Sequence, residues 1–289
     1  MKRICITGAD GLLGRQLVRQ LCIDHKVWAV SRQKEDNFFP NRATKVLTDL
    51  SKPNWTSKLP EEIDTFFYLA QSRRFRDFPE GALDMFSVNL NALAECLDWS
   101  VQNGVKQFVY TSSGGIYGSG GNAFFEDDLL TVEGPLGYYL ASKRCGELLV
   151  ENYSKLMNVI ILRPFFIYGK EQRADMLIPR LINKVRHHEP INLSGENGLK
   201  INPIHVSDAV RAMKSCLDLE TSEKINLAGE EIMSLREIGN KIGQVLHKEP
   251  VFELDEQTAN NDLIADITKM KTMLVKPEII FKSAIEEFK

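Results

Sequence analysis

Three glycines at three-residue intervals, placed directly after a short apolar run, constrain the fold of this chain more than any other feature. The run Arg3–Thr7 is β-rich, and Gly8, Gly11 and Gly14 follow it as a helical pattern begins. A strand-to-helix turn of this kind directs backbone N–H groups and the positive end of a helix dipole outward, where a dinucleotide pyrophosphate binds. Gly8 then permits the tight turn, Gly11 the close approach of phosphate, and Gly14 the packing of helix on strand.

Short β-rich runs alternate with longer helical patterns through the first 170 residues. The runs lack strict apolar–polar alternation, which is typical of strands covered on both faces. They are Arg3–Thr7, Val27–Ser31, Lys45–Thr48, Thr65–Ala70, Gln107–Ser112 and Asn158–Arg163, with helical patterns at 12–21, 86–101 and 139–156 between them. The order predicts an α/β fold with a doubly wound parallel sheet, the Rossmann arrangement.

The alternation of strand and helix patterns becomes irregular after Tyr168 and Gly169. Turn-rich segments are interspersed there with helical patterns near 175–187, 206–219 and 235–246, and 224–228 resembles one more buried strand. We therefore expect a dinucleotide-binding domain over residues 1–168, its sheet completed by 204–228. Residues 169–289 are predicted to form mainly a smaller, irregular α/β substrate-binding part.

Composition argues against nucleic acid, metal and membrane as binding partners. With 289 residues, 43% of them hydrophobic, and a net charge of −3, the chain can bury a large core and lacks the concentrated basic charge that nucleic acid requires. Its five cysteines are scattered without a C-x-x-C pair, and the adjacent His187 and His188 diverge by about 100° on a helix, so neither pattern predicts a metal site. No signal peptide or membrane span is evident, and we expect a cytoplasmic protein with a small-molecule substrate.

The second predicted strand ends in Ser31 and Arg32. NAD enzymes typically place Asp or Glu at this point, where it binds the adenosine ribose hydroxyls. A serine hydroxyl and a guanidinium instead bind and neutralise a 2′-phosphate. The sequence therefore favours NADP over NAD.

Tyr139 and Lys143 form a Y-x-x-x-K pair, which places a phenol and an ammonium one turn apart on the same helix face. A tyrosine with an ordinary pKa of about 10 is a poor base at neutral pH, and a nearby cation is expected to lower that pKa. Such a pair exchanges a proton with a carbinol or ketone while a nicotinamide exchanges hydride. Ser113, in a glycine-rich loop after the fifth strand, is expected to hydrogen-bond the same substrate oxygen.

Two charged clusters lie near the predicted cleft. Arg73, Arg74 and Arg76 follow the fourth strand and offer a second anion clamp, or else a solvated loop. Glu126, Asp127 and Asp128 are interpreted as a solvated acidic loop over the substrate cleft.

At this point the chain resembles the extended short-chain dehydrogenase/reductase family, the epimerase/dehydratase branch that acts mostly on nucleotide-linked sugars. Beyond the glycine loop, the resemblance is carried by Asp49-Leu50, Leu69-Ala70-Gln71, Asn89, Ser113, Tyr139 with Lys143, Arg163-Pro164, Tyr168-Gly169 and His205-Val206-Ser207-Asp208. It implies Tyr139 as general acid/base, Lys143 also on the nicotinamide ribose, and a homodimer formed by helices near 80–103 and 137–155. The implied cofactor residues are Gly8, Gly11, Leu12, Leu13, Gly14, Ser31, Arg32, Asp49, Leu50, Leu69, Ala70, Gln71, Thr111, Tyr139, Lys143, Pro164 and Ile167.

Departures from the family pattern narrow the chemistry. Sugar 4,6-dehydratases of the family follow their catalytic threonine with Asp-Glu, whereas Gly114 and Gly115 follow Ser113 here, so dehydration is not expected. Epimerase-reductases of the family that use two bases add a cysteine and a histidine. No cysteine follows Ser113 in this loop, so two-base epimerisation also loses support. The remaining alternatives are an NADP-dependent ketoreductase or dehydrogenase of a sugar or nucleotide sugar, a C4 epimerase with tightly held NAD, and a redox-silent NAD(P)-binding sensor.

The substrate contacts are the least constrained by sequence. Ile201 replaces the arginine that the family commonly uses on the nucleotide diphosphate, and Phe166 replaces an asparagine. Lys200 and Asn202 are candidates for substitute contacts. The predicted substrate-binding set is Arg73, Ser113, Gly115, Phe166, Lys200 and Asn202.

Overall fold

The computed structural model describes residues 1–33, 39–255 and 262–289. Its strands are β1 (Arg3–Thr7), β2 (Lys26–Ser31), β3 (Ala43–Leu47), β4 (Thr65–Tyr68), β5 (Gln107–Thr111), β6 (Asn158–Pro164), β7 (Ile167–Tyr168), β8 (Pro190–Ser194), β9 (Lys200–Ile201), β10 (Ile204–His205), β11 (Glu223–Leu227), β12 (Met233–Ser234) and β13 (Val251–Asp255). Its α-helices are α1 (Leu12–Leu21), α2 (Ala82–Phe86), α3 (Ala92–Gln102), α4 (Gly137–Asn152), α5 (Leu177–His187), α6 (Val206–Ser215), α7 (Leu235–Leu246), α8 (Thr268–Met273) and α9 (Phe281–Ile285).

Seven parallel strands form one sheet in the order β11-β6-β5-β4-β1-β2-β3. The strand order reverses next to β1, so the carboxyl ends of β1 and β4 border the crevice in which open α/β sheets bind ligands. The predicted doubly wound parallel sheet is confirmed.

Both faces of the sheet are covered, as the unalternating strands predicted. Every residue of β4 is buried, because Phe67 packs into a core with α1 and α6 while Phe66 and Tyr68 pack into another core with α3. Hydrophobic burial on two faces thus fixes the strands whose ends carry the site.

The seventh strand returns to the sheet from the second half of the chain. β11 pairs in parallel with β6, with Leu227 opposite Pro164. The stretch between β6 and β11 contains α5 and α6, and α6 packs against α1 beneath the sheet. The division into domains at residue 168 stays a prediction.

A smaller core lies under α5, α7 and α9. β8 and β13 form a parallel pair there, and β9 and β12 form an antiparallel pair. α7 begins with a capping box in which Ser234 and Glu237 satisfy each other's backbone N–H groups, so this helix begins at the residue where the sequence pattern does.

Candidate active site

The glycine loop forms a tight cradle at the start of α1. Gly8 has φ +65°, and its carbonyl accepts the N–H of Gly11 at 3.0 Å. A Cβ on Gly14 would overlap the backbone oxygen of Gly8 and lie 2.6 Å from the Cα of Ala9. α1 begins at Leu12 without a side-chain cap, which leaves N–H groups of its first turn facing outward for an anion.

A cleft of about 700 Å³ extends from this loop along the carboxyl ends of the central strands. It brings together most of the residues predicted for the cofactor. Those that line it are Gly8, Gly11, Leu12, Ser31, Arg32, Asp49, Leu50, Leu69, Ala70 and Gln71. The size of the cleft and its uncapped helix terminus fit a dinucleotide.

The other predicted cofactor residues lie behind or beyond this lining. Leu13 packs against the core, and Gly14 is buried where α1 meets the glycine loop. Thr111 and Pro164 end β5 and β6, and Ile167 pairs with Ile204 of β10.

The end of β2 supplies the polar rim of the cleft. Ser31 is buried, and its Oγ accepts the N–H of Gln33 at 3.1 Å, whereas Arg32 is exposed at the rim. Across from it, the carboxylate of Asp49 accepts hydrogen bonds from the N–H and the hydroxyl of Ser51 at 3.0 and 2.8 Å. Burial opposes the charge on Asp49, but these bonds outweigh it and hold the pKa of Asp49 below its usual range.

Tyr139 lies directly behind two residues of the cleft lining, Gln71 and Phe75. Its ring is 8% exposed and packs on Phe75 with 5.3 Å between ring centroids, and its Oη donates to Oε1 of Gln71 at 2.9 Å. Burial raises the pKa of Tyr139 well above its usual value, while a hydrogen bond with Ser113 opposes the rise. The expected lowering of this pKa is therefore wrong for the free protein, because burial dominates and the group that opposes it is Ser113 rather than Lys143.

Lys143 is 1% exposed, and its Nζ donates to the backbone oxygen of Thr111 at 2.8 Å. The same Nζ lies 5.9 Å from the ring centroid of Tyr139. Burial lowers the pKa of Lys143 to about 7, and the negative charge of Glu147 opposes that fall. The predicted phenol–ammonium pair is thus brought together on α4.

Ser113 begins the short 3-10 turn Gly114–Tyr117 after β5. Its Oγ accepts the N–H of Gly115 at 3.2 Å, which leaves its hydroxyl proton to donate to Tyr139 in the free protein or to a substrate oxygen. A Cβ on Gly115 would lie 2.8 Å from Leu140 of α4, which explains why glycine suits this loop. Ser113 and Gly115 thus lie against the helix that carries Tyr139.

Asn89 is a site residue whose role the sequence reasoning missed. It is 1% exposed in a π-helical turn, Ser87–Asn91, between α2 and α3. Its Oδ1 accepts the N–H of Ser72 at 2.9 Å, and its Nδ2 donates to Oγ of Ser142 at 2.8 Å. Ser142 in turn donates to the carbonyl of Tyr139 at 2.7 Å. The loop after β4 is therefore tied to α4 beside the phenol.

A buried ion pair supports α4 from below. Glu147 and Arg163 are 0% and 1% exposed, and two hydrogen bonds of 2.9 Å each join them. Arg163 also donates to the carbonyl of Glu126 at 2.8 Å. The spacing of Glu147, four residues after Lys143, indicates only that these two side chains share one face of α4, and the pairing of Glu147 with Arg163 on β6 has no local sequence signal.

The interpretation of Glu126 as a solvated loop residue is wrong. Glu126 is 9% exposed, and its carboxylate accepts the N–H of Asn226 in β11 at 2.9 Å. Burial raises its pKa. Asp127 and Asp128 are exposed, and Asp128 accepts the N–H of Phe125 within the loop at 2.8 Å, so Glu126 is the acid of this cluster that is bonded to β11.

The predicted substrate residues are only partly brought together. Arg73 lines the cleft, but its guanidinium already pairs with Asp10 of the glycine loop at 2.8 Å. Phe166 is half-buried with φ +43°, a left-handed conformation that disfavours a bulky side chain.

Asn202 and Lys200 do not fit the role predicted for them. Asn202 is 2% exposed, and its amide donates to the carbonyl of Ala265 at 2.9 Å and accepts the N–H of the same residue at 3.0 Å. These bonds occupy it, so its assignment as a substrate contact is corrected to a structural one. Lys200 is exposed in β9, away from the lining of the cleft.

No group of three or more His, Cys, Asp or Glu side chains within 1–33, 39–255 and 262–289 is arranged to hold a metal ion. Over the same residues, every helix is too short or too polar to span a bilayer.

The sheet, glycine cradle and Tyr139–Lys143 pair define an NAD(P)-dependent enzyme of the extended short-chain dehydrogenase/reductase type. The sequence profile of the NAD dependent epimerase/dehydratase family matches residues 4–228. The chain belongs to this family.

Similar proteins cover almost the whole chain. An uncharacterized UDP-glucose epimerase of Bacillus subtilis is 25% identical over 293 residues, covering 94% of this chain and 92% of that protein. The dTDP-4-dehydro-6-deoxyglucose reductase of Escherichia coli is 27% identical over 320 residues, covering 98% and 95%. Among solved structures, MoeE5 in complex with UDP-glucuronic acid and NAD is similar with a TM-score of 0.83 at 26% identity, covering 98% and 96%. These similarities make the chain a relative of nucleotide-sugar epimerases and reductases.

Proposed function

We propose that the protein is an NADP-dependent ketoreductase or dehydrogenase of a sugar or nucleotide-linked sugar. The observation that carries the proposal is the buried Tyr139, which contacts Gln71 and Phe75 in the lining of a cleft that fits a dinucleotide, with Lys143 one turn away. Ser113, Tyr139 and Lys143 are its proposed catalytic residues. Bound NADP supplies or accepts the hydride in such chemistry.

The chain's own groups handle the proton. Because burial keeps the Tyr139 phenol protonated at neutral pH, Tyr139 is suited to deliver its proton to a substrate oxygen. The hydroxyl of Ser113, whose oxygen already accepts from Gly115, is left to bind the same substrate oxygen. The ammonium of Lys143 stabilises the phenolate that remains, since a positive charge near the ring favours the ionised form.

The choice of NADP rests on the rim of the cleft at the end of β2. Ser31 and Arg32 stand where an acidic residue would repel a 2′-phosphate, and Arg32 is exposed in the cleft lining. We expect NADPH to bind at least tenfold more tightly than NADH, and Arg32→Ala to remove most of that preference, about 1 to 2 kcal/mol. Equal affinities in the unmodified protein would contradict NADP.

A C4 epimerase with retained NAD is the second candidate. It is favoured by the similarity to an epimerase of Bacillus subtilis and to the NAD complex of MoeE5. The single-carbon redox chemistry of Tyr139 serves this reaction as well, since an epimerase uses it twice.

One experiment separates the candidates. The protein is incubated with NADPH and a panel of UDP- and dTDP-linked 4-ketosugars, with UDP-glucose and UDP-glucuronic acid in parallel, while nicotinamide absorbance and the sugar products are followed. Consumption of NADPH in step with sugar reduction, lost in Tyr139→Phe, is the result expected of the reductase. Isomerised UDP-sugar without net consumption, or NAD that co-purifies, would favour the epimerase, and cofactor binding without turnover would favour the sensor.

We further propose a cytoplasmic homodimer built on α2, α3 and α4. Leu83 and Phe86 near the start of this surface are 83% and 46% exposed, and Leu148 of α4 is 46% exposed. Exposed apolar side chains on adjacent helices suit a second copy of the same face. Light scattering is expected to give twice the chain mass, and Leu83→Lys with Leu148→Lys to give a folded monomer; a monomer before substitution would contradict the dimer.

A further inference from the structure

The side-chain amide of Gln71 is the hydrogen-bond partner of the Tyr139 phenol. Gln71 lies just past the carboxyl end of β4 and lines the cleft, and its Oε1 accepts from Oη of Tyr139 at 2.9 Å. We propose that Gln71 is a positioning residue, which directs the proton of Tyr139 into the cleft and remains hydrogen-bonded to the phenolate after the proton has left. The inference deepens the proposed function and rests on it.

An amide suits this role because it both accepts and donates. While Tyr139 is a phenol, Oε1 of Gln71 accepts a hydrogen bond from its O–H. When the O–H bond of Tyr139 breaks and the proton bonds to a substrate oxygen, a half-turn of the amide presents Nε2–H to the phenolate. No bond to Gln71 forms or breaks in this step. A carboxylate would only accept, and a thioether would do neither to a useful extent.

The distance between Gln71 and Tyr139 is fixed by buried groups beside them. The residue after Gln71, Ser72, is held by Asn89, which also holds Ser142 three residues after Tyr139. The backbone on each side of the contact is thus tied through one buried amide. Exposure of the Gln71 side chain leaves it free to rotate while its backbone stays in place.

The polar groups that face the phenol come from four parts of the chain. Lys143 faces it from α4, Ser113 from the loop after β5, and Tyr110 from within β5, where the two phenols repel each other as anions. The loop after β4 contributes the ring of Phe75 and the amide of Gln71. Lys143 and Ser113 favour the ionised phenolate of Tyr139. The side-chain carbonyl of Gln71 instead favours the protonated phenol, because it accepts a hydrogen bond from the O–H.

The test uses 3,5-difluorotyrosine at position 139, whose more acidic phenol titrates in an accessible pH range and is followed by fluorine NMR in the cofactor-free protein. Gln71→Glu is expected to raise the titration midpoint by about one pH unit or more, because a carboxylate accepts from the phenol and repels the phenolate. Gln33→Glu, which adds the same charge at the Arg32 end of the cleft, is the matched control and should leave the midpoint unchanged. Equal midpoints in the unmodified and Gln71→Glu proteins would overturn the inference.

Steady-state kinetics give a second test, on Gln71 variants that keep the natural tyrosine at position 139. With NADPH and the 4-ketosugar that reacts best, Gln71→Met is expected to lower kcat about tenfold and change KM for the sugar less than about twofold. Gln71→His, whose ring accepts at one nitrogen and donates at the other, should recover part of the loss. A midpoint shift without turnover on any sugar would count against the proposed reductase and leave Gln71 supported. Tyr139-dependent turnover that Gln71→Met and Gln71→Glu leave unchanged would reject the role of Gln71 alone.

Discussion

Arg163 on β6 holds both carboxylate oxygens of Glu147 on α4, through Nε and Nη2 at 2.9 Å each, with neither side chain more than 1% exposed. Removing one partner leaves a buried charge without compensation. Arg163→Met should therefore lower the free energy of unfolding by about 3 to 5 kcal/mol, toward the lower end because Arg144 also contacts Glu147. Urea denaturation measures the loss.

The control for this prediction is an ion pair at the surface. Arg74 and Asp77 lie 3.2 Å apart with both side chains about half exposed, so Arg74→Met should cost less than about 1 kcal/mol. The double variant Arg163→Met with Glu147→Leu should recover much of the stability that the single change loses. If Arg163→Met cost no more than Arg74→Met, the buried pair would not be a support of α4.

Burial of Lys143 predicts a pH dependence of folding. Its pKa is about 7 in the fold against an ordinary 10.5, so between these values the unfolded chain binds a proton that the folded chain does not. This contribution to stability therefore rises with pH. Between pH 7 and 9 the unfolding free energy of the unmodified protein should rise by roughly 2 kcal/mol relative to Lys143→Met.

Denaturant titrations at the two pH values test this prediction. Lys155→Met, which changes an exposed lysine just past the end of α4, is the matched control and should keep the unmodified pH dependence. A Lys143→Met protein with the same pH dependence as the unmodified one would show that Lys143 does not titrate in this window.

The packing of Gly14 predicts that a single methyl group disrupts the cofactor cradle. In Gly14→Ala the new Cβ meets the backbone of Gly8 and Ala9, which cannot yield as a flexible side chain would. We expect a loss of about 1 to 3 kcal/mol in stability and a large loss of NADPH affinity. Gly121→Ala, where the Cβ meets nothing within 4 Å, should change neither by more than about 0.5 kcal/mol. Thermal unfolding and NADPH fluorescence give the two readouts, and equal behaviour of the variants would contradict the cradle.

Asn89 bridges Ser72 and Ser142 through two hydrogen bonds, and this bridge predicts a coupled loss of stability and activity when Asn89 is replaced. Asn89→Leu leaves the N–H of Ser72 without its partner in a buried position and should cost about 1 to 3 kcal/mol. Since the same bridge spaces Gln71 from Tyr139, kcat should fall even where the variant is fully folded. Asn91→Leu, an exposed change in the same π-helical turn, serves as control. An Asn89→Leu protein with unchanged kcat would mean that the bridge is structural only.

The elements that local sequence specifies were predicted well. α1 and α7 occupy the residues where their patterns lie, because a glycine loop precedes one and a capping box begins the other. The helical pattern at 86–101 instead begins at Ala82 and contains a π-helical turn, within which Asn89 bonds to distant Ser72 and Ser142. The two-residue strands, such as β9, are too short for periodicity to reveal.

The same contrast holds within the site. Spacing alone predicted that Tyr139 and Lys143 share a helix face, because that is a local property. Gln71 meets Tyr139 from 68 residues away in sequence, and no periodicity encodes that contact. Asn202 looked available for substrate because its partner, Ala265, is equally remote.

The parallel pairing of β11 with β6 has a consequence for the order in which the molecule is made. A nascent chain that has reached only α5 carries six strands of the seven-stranded sheet and an unpaired edge along β6, a template for pairing with other chains. That edge stays open on the ribosome until Leu227 has emerged, roughly sixty residues after β6 is complete. Chaperone engagement should therefore be strongest on nascent chains that end within this interval and should fall once β11 is outside the exit tunnel.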